Sequence, residues 1–394
     1  MINLSKPVFC LMAVAALISC DDDEPSRFRP AMDYASLNAQ AAYSNQFKDE
    51  QGVSTVDFSE GNARYKMFQG LNFHMSSNVS ANTPIDANVL KKMFTNSGSP
   101  FYDVSTATVS INGATLNSSG LQLSTATASS KPASEADVVR AKFNTDFDNI
   151  AVASQSVTTT AAAGKAGKLG AYLVDAKGIE IAQIIQKSLI GALQMDYIGN
   201  VLLDEGLQAN NSSLVNGKAY TQLEHNWDEA YGLFTLSPAY LYNIESSTAT
   251  TDAARSTTEF GAGAYVWEYN KAGYPKIYPA FLRGRAAIVN NDRAELEAQA
   301  TIIKTELEKA VASAALGYLE KWKSGTQTDA ARAHAIAEGL GFIYSLRFAT
   351  THSVDAAWSD GIINGLIGSQ NGFWDLDATK INTAADAIKA KFGL

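Results

Sequence analysis

Four ionisable side chains lie within six consecutive positions in the middle of the chain. The segment around them has the apolar pattern of a buried helix. They are Glu224, His225, Asp228 and Glu229, and the apolar residues around them are Tyr220, Leu223, Trp227, Ala230, Tyr231 and Phe234. With 3.6 residues per turn, His225 and Glu229 share one helical face, as do Glu224 and Asp228. Buried imidazoles and carboxylates are costly unless they are paired. The segment therefore predicts a polar site whose partner is a side chain, a metal or a ligand.

A second helical segment repeats the spacing between histidine and glutamate, because His334 and Glu338 lie four residues apart among apolar residues. If the two helices faced each other, His225, Glu229, His334 and Glu338 would form a ligand set suited to Fe, Mn or Zn. The spacing is neither the Glu-x-x-His of ferritin-like di-iron proteins nor the His-Glu-x-x-His of zinc peptidases. The metal hypothesis therefore depends on a tertiary contact between these helices.

Three basic residues, Lys187, Arg283 and Arg285, are alternative partners for the carboxylates. The guanidinium fork of arginine matches a carboxylate, so these residues predict either a neutralised core network or a site for an anionic ligand. Both interpretations stay open. The predicted ligand site consists of Glu224, His225, Trp227, Asp228 and Glu229 together with Lys187, Arg283 and Arg285.

The first residues have the pattern of an export signal. Lys6 provides a positive start, residues 8–18 form an apolar run too short for a lasting transmembrane helix, and Leu17-Ile18-Ser19-Cys20 resembles a bacterial lipobox. We therefore expect a signal peptide over residues 1–19 and lipid on Cys20, followed by a tether and lead-in over residues 20–50. The acidic run at 21–24 is similar to the signal that sends lipoproteins to the outer face of the outer membrane. The predicted location is the cell surface, anchored to outer-membrane lipid.

Composition narrows the classes of function. The formal net charge is -9 and no basic cluster is visible, which argues against nucleic acid as a partner. The two cysteines are Cys10 in the signal and Cys20 at the lipidation site, so the mature chain is expected to contain neither disulfides nor thiolate metal sites.

Apolar periodicity predicts an all-α fold of long antiparallel helices over residues 51–394, in one or two bundles. We expect helices at 59–75, 178–207, 292–323, 328–349, 354–368 and 377–391. A low-charge insertion at 96–132 contains at most a small hairpin with Asn112-Gly113 as its turn. The segment 237–280 predicts a long aromatic-rich loop. Small residues at 191–193 and 339–341 hint at two related halves.

Four sequence blocks resemble a family of uncharacterised Bacteroidetes lipoproteins that carry a domain-of-unknown-function label. The blocks span residues 164–167, 187–193, 224–232 and 284–288, and the most specific is His225-Asn226-Trp227-Asp228-Glu229-Ala230. Such proteins are similar in organisation to imelysin-like proteins. That resemblance implies a helical fold, export and a role in iron acquisition, with an outer-membrane uptake receptor as a partner. The imelysin pattern is His-x-x-Glu; this chain has Asp228 at the third position after His225, and Glu229 follows.

The expected function is therefore a cell-surface lipoprotein that binds a ligand or an iron species in a polar pocket around His225, with Fe or Zn as the expected ion. The first alternative is a metal-dependent hydrolase or peptidase of imelysin-like type, in which Glu229 is the base toward a metal-bound water. The second alternative is a structural or adhesive surface module whose polar cluster fixes the register of the helices.

Overall fold

The computed structural model describes residues 29–39, 41–234, 260–324 and 327–394, and within them the fold is all-α, as predicted. The helices are α1 Ser59–Ser80, α2 Ala87–Thr95, α3 Gly113–Ser118, α4 Leu123–Ala126, α5 Ala133–Ser154, α6 Ile181–Leu189, α7 Gln222–Phe234, α8 Ala262–Tyr269, α9 Tyr274–Asn290, α10 Arg293–Lys323, α11 Asp329–Ser345, α12 Ala356–Ile367 and α13 Ala378–Phe392. Two short antiparallel strand pairs join β1 Val104–Ser105 to β2 Ser110–Ile111 and β3 Gly167–Leu169 to β4 Tyr172–Val174.

The long helix α10 is central to the helical body. It packs against α9 and α11, and α11 packs in turn against α6. Its apolar stripe includes Ile303, Leu307 and Val311, which are all buried. Helix α1 packs along α7, and α7 also contacts α9. These contacts bring α1, α7 and α9 together around the ionisable segment.

The predicted central helix begins as α6 and continues as a π-helical segment from Ile190 to Leu202. Gly191 permits its close contact with α11, because a Cβ at this position would lie 2.4 Å from the Cα of Ser345. The backbone N–H of Gly191 donates to the Ser345 hydroxyl at 2.9 Å, and that hydroxyl donates to the carbonyl of Lys187 at 2.6 Å. Wide turns of this kind are rare and often occur at functional sites.

The turn predicted within the insertion is wrong. Val104 pairs with Ile111 and Ser105 with Ser110, so the chain reverses before Asn112-Gly113. Asn112 instead begins α3, where its side-chain oxygen accepts from the backbone N–H of Thr115 at 3.0 Å. An asparagine that precedes glycine can cap a helix as well as form a turn, and here the cap is formed.

The aromatic-rich loop predicted at 237–280 is wrong over its described part. Residues 262–269 form α8 and residues 274–280 are the start of α9, while residues 237–259 lie outside the described residues. Pro275 lies in the first turn of α9, where backbone N–H groups have no partner within the helix, so proline costs no hydrogen bond there. Pro279 lies inside the same helix. Helix α9 therefore accommodates both prolines.

The described part of the lead-in, residues 29–39 and 41–50, packs on the helical body. Tyr43 and Phe47 are buried in the core, and Lys48 forms an isolated antiparallel bridge with Ser54. The backbone N–H of Met32 donates to the side chain of Asn290 at 2.7 Å. This part of the chain is therefore held by apolar and polar contacts. Within the described ranges, every helix is too short or too polar to cross a bilayer.

Candidate functional site

A capping box fixes the start of α7. The Thr221 hydroxyl accepts from the backbone N–H of Glu224 at 3.2 Å, and the Glu224 carboxylate accepts from the backbone N–H of Thr221 at 2.8 Å. This reciprocal pair satisfies two N–H groups that lack partners within the helix. It also fixes Glu224 at the entrance of α7, one residue before His225.

The carboxylates of Glu224 and Asp228 turn inward onto Arg285, which is fully buried on α9. Arg285 Nη1 donates to Glu224 Oε1 at 2.6 Å, and its Nε donates to Asp228 Oδ1 at 3.0 Å. Arg29 forms a second ion pair with Glu224. The Tyr43 hydroxyl donates to Asp228 Oδ1 at 2.7 Å. We call Arg29, Tyr43, Glu224, Asp228 and Arg285 the arginine network.

The arginine network contains two guanidinium groups and two carboxylates, so its formal charges cancel. Burial raises the pKa of Asp228 to about 6, although Arg285 and the Tyr43 hydroxyl oppose that shift. Burial also raises the pKa of Glu224, but Arg285 and Arg29 outweigh it and the net shift is downward. Every carboxylate of the network is matched with donors, which is the arrangement of a structural network.

On the next face of α7, His225 and Glu229 meet Glu60 of α1. One ligand atom from each of these three side chains lies within 4.8 Å of the others, and they form the sole such metal-compatible group among the described residues. His225 Nε2 is 4.0 Å from Glu60 Oε1. The group borders a pocket of about 560 Å³ whose lining also includes Asp57, Tyr197, Lys218, Tyr220, Gln222 and Asn226.

The tautomer of His225 follows from its neighbours. Nδ1 lies 3.2 Å from the backbone carbonyl oxygen of Asp57, which can only accept, so Nδ1 carries the proton. In the neutral ring, Nε2 then keeps its lone pair, directed toward Glu60. The ring also stacks on Tyr220 at a centroid distance of 4.9 Å. A histidine that binds a metal through one ring nitrogen usually donates the N–H of its other ring nitrogen to a partner such as a backbone carbonyl.

Glu229 has a cationic neighbour on α1. Arg64 pairs with Glu229, and its Nη1 lies 3.6 Å from Glu60 Oε2. The guanidinium carbon of Arg64 lies 5.2 Å from the ring centroid of Tyr197. Burial raises the pKa of Glu229, and Arg64 limits that rise.

The rim of the pocket is polar. Asp57 accepts from Lys218 Nζ at 3.3 Å and from the Tyr220 hydroxyl at 3.2 Å. Burial opposes its ionisation, but hydrogen bonds from Ser59, Lys218 and Tyr220 lower the pKa of Asp57 to about 2. The rim therefore carries a carboxylate and an ammonium that are both ionised at neutral pH.

The second His/Glu pair has different partners. His334 Nδ1 lies 2.6 Å from Glu180 Oε2, and its Nε2 lies 3.4 Å from Glu338 Oε2. Lys187 Nζ is 3.1 Å from Glu338 Oε1. Tyr172 stacks on the imidazole at a centroid distance of 4.2 Å. We call Glu180, Lys187, His334 and Glu338 the α11 cluster. Both ring nitrogens of His334 face carboxylates on opposite sides, so the cluster does not converge on one point.

Comparison with known families matches residues 42–394 to a domain of unknown function, DUF4856. The chain belongs to this family. The domain-of-unknown-function label expected from the sequence is thereby confirmed. No curated protein and no solved structure matches the DUF4856 chain.

The remaining predicted residues of the DUF4856 chain lie outside the pocket. Trp227 is fully buried and donates from Nε1 to the carbonyl of Phe281 at 2.9 Å, directly over Gly284. Arg283 is half-buried and pairs with Glu295 at 2.5 Å. Lys187 belongs to the α11 cluster. The predicted four-ligand set is therefore divided: His225 and Glu229 border the pocket, whereas His334 and Glu338 do not join them.

Sequence reasoning missed Arg29, Glu60 and Arg64. Glu60 and Arg64 are spaced i,i+4 at the start of a helix whose following residues, Tyr65 and Phe68, are buried. A charged pair beside an apolar stripe is a detectable signal for an inward-facing ion pair. Arg29 gave no comparable signal, because its contact with Glu224 spans 195 positions of the chain.

Proposed function

We propose that this protein is an exported, lipid-anchored protein that binds a transition-metal ion, iron or zinc, through Glu60, His225 and Glu229. The observation that carries the proposal is the convergence of these three side chains at the pocket, with the Nε2 lone pair of His225 directed into the group. One imidazole nitrogen and two carboxylate oxygens are a ligand set that suits Fe, Mn and Zn.

The size of the pocket supports a bound ion that keeps open coordination positions. A volume of about 560 Å³ greatly exceeds that of one ion, which leaves room for water or a small chelating anion beside it. Lys218 on the rim offers a positive charge to such an anion. The site therefore suits an ion that is carried together with a small ligand.

The cellular setting is part of the same proposal. Cys20 would carry lipid and hold the protein at the outer membrane, and the acidic run at 21–24 favours the outer face of that membrane. An outer-membrane uptake receptor would receive the ion. The expected Bacteroidetes origin and imelysin-like organisation would place this role in iron acquisition.

Metal binding by the purified full chain tests this proposal. We expect Zn²⁺ and Fe²⁺ to bind to the wild type in titration calorimetry, and His225→Ala to bind at least about tenfold more weakly, because one of three ligands is lost. His334→Ala is the matched control, since its histidine has the same spacing from a glutamate, and its affinity should equal that of the wild type. Equal affinity in His225→Ala and the wild type would contradict the metal site.

Membrane attachment is tested separately. The wild type should incorporate radiolabelled fatty acid and partition into a detergent phase, whereas Cys20→Ala should do neither. Aqueous partitioning of the wild type without label would contradict the lipid anchor and leave the metal measurement unaffected.

A metal-dependent hydrolase is the second candidate, and the raised pKa of Glu229 favours it because a general base works best near the operating pH. The ion pair of Glu229 with Arg64 opposes the role of Glu229 as a base, since it occupies the carboxylate. Turnover of a peptide library that stops with a chelator would support the hydrolase.

A structural or adhesive module, the third candidate, is supported by the charge-neutral arginine network alone and predicts that no metal binds.

A further inference from the structure

We propose that Arg64 is a built-in cation that competes with the metal ion for Glu229 and thereby sets the affinity of the site. This inference rests on the proposed function. Arg64 pairs with Glu229, and the same nitrogen, Nη1, lies 3.6 Å from Glu60 Oε2. A single positive group thus lies between the two carboxylates of the ligand set.

Arginine side chains in proteins keep their positive charge throughout the physiological pH range. A metal ion that binds Glu60 and Glu229 would therefore meet a permanent positive charge at contact distance. Arg64 is 8% exposed, so water screens this repulsion poorly. Metal binding at full strength requires the guanidinium to move away from Glu229.

The surroundings of Arg64 allow such a movement. Its Nε is buried and has no hydrogen-bond partner, so the present position leaves one donor unsatisfied. The face of the Tyr197 ring lies 5.2 Å from the guanidinium carbon and can keep a favourable cation–π contact after the ion pair with Glu229 has opened. Tyr197 therefore gives Arg64 a partner that does not depend on Glu229.

The consequence is a site that binds its ion reversibly. Every ion that enters must replace an internal ion pair, and every ion that leaves allows that pair to form again. The departure of the ion is assisted by a group that is already present, which suits a protein that passes its cargo to another.

Titration with Zn²⁺ at pH 8 tests the role of Arg64. We expect Arg64→Gln to bind Zn²⁺ at least about tenfold more tightly than the wild type, because the competing charge is gone. Arg64→Lys keeps the charge and should bind within about threefold of the wild type. Arg283→Gln removes an arginine from the pair with Glu295 and is the control for a change in net charge. Equal or weaker binding in Arg64→Gln would overturn the inference and show that Arg64 holds Glu229 in place for the ion.

A second measurement guards against loss of folding. Arg64→Gln leaves Glu229 buried without its ion pair, so we expect a lower melting temperature without Zn²⁺ and a larger Zn²⁺-induced rise than in the wild type. A smaller rise would contradict competition. Zinc binding by the wild type without a gain in Arg64→Gln contradicts only the inference, whereas the lack of binding in every variant contradicts the proposed function.

Discussion

Two helices carry a histidine and a glutamate at the same spacing, and the structure gives the two pairs different surroundings. On α7, His225 donates to a backbone carbonyl and keeps its Nε2 lone pair toward Glu60 at the pocket. On α11, both nitrogens of His334 face carboxylates. The first ring suits a neutral ligand of a metal, and the second suits a protonated bridge between two acids.

The difference lies in the partner of Nδ1, which is a backbone carbonyl for His225 and a carboxylate for His334. A carbonyl at Nδ1 of His225 accepts one N–H and leaves Nε2 directed to the pocket, whereas a carboxylate at each nitrogen of His334 stabilises the imidazolium. Spacing along a helix therefore determines which side chains share a face, and contacts from other helices determine what the pair can do. The two helices should therefore differ in their response to substitution and to pH.

The largest effect is expected from Arg285→Met. Removing this buried guanidinium deprives Glu224 and Asp228 of a shared partner, and breaking a buried ion pair costs about 3–5 kcal/mol in the free energy of unfolding. Lys187→Met in the α11 cluster should cost less, because Glu338 keeps His334 as a neighbour. Urea denaturation measures both values. A larger loss in Lys187→Met would contradict the central role of the arginine network.

Substitution of one acid in each region gives the next largest effect. Glu60→Gln should weaken Zn²⁺ binding about tenfold, or about 1.4 kcal/mol, because it removes a proposed ligand. Glu338→Gln should leave the affinity unchanged. Titration calorimetry measures both affinities. A loss of affinity in Glu338→Gln would show that α11 contributes to metal binding.

Removing the N-terminal caps of α7 and α11 should have a smaller effect on stability. Thr221→Ala should lower the free energy of unfolding by about 1 kcal/mol, the usual cost of losing a cap. Thr328 caps α11 in the same way, through the backbone N–H of Ala331 at 3.2 Å, but without a glutamate in the capping box. Thr328→Ala should therefore cost less than Thr221→Ala. The reverse order in thermal denaturation would show that the capping box adds little.

The pH dependence of stability gives the smallest effect, since it depends on one proton. Burial lowers the pKa of His334, but Glu180 and Glu338 outweigh it and the net shift is upward. The folded protein therefore keeps a proton that the unfolded chain releases near pH 6.5. The stabilisation is complete below that pH and is lost as the pH rises through the pKa of the folded state.

Denaturation measured between pH 6 and pH 9 tests this expectation. Stability should fall more steeply with pH in the wild type than in His334→Gln, which has no titrating ring. Glu180→Gln should flatten the curve in the same direction. Curves of equal slope in all three proteins would mean that His334 is not the bridging group.

The positions of several long helices followed from local pattern, although α8 and the start of α9 did not, and the partners of the charged side chains did not. The expected helix at 292–323 is observed as Arg293–Lys323, because its apolar spacing and its cap at Asp292 act within a few residues. Arg285 was a candidate partner by residue type alone, and the structure pairs it with Glu224 and Asp228. Arg64 lies 165 positions before its partner Glu229, and Glu60 lies earlier still, so no local pattern could pair them with α7.

The contact of Arg29 with Glu224 has a consequence for where the pocket stands relative to a membrane. Nine peptide units connect Cys20 to Arg29, and a fully extended chain of that length reaches roughly 30 Å. Glu224 directly precedes His225. With lipid on Cys20, the proposed metal site would be held close to the bilayer surface. Its cargo could then be exchanged only with a receptor embedded in, or lying on, the same surface.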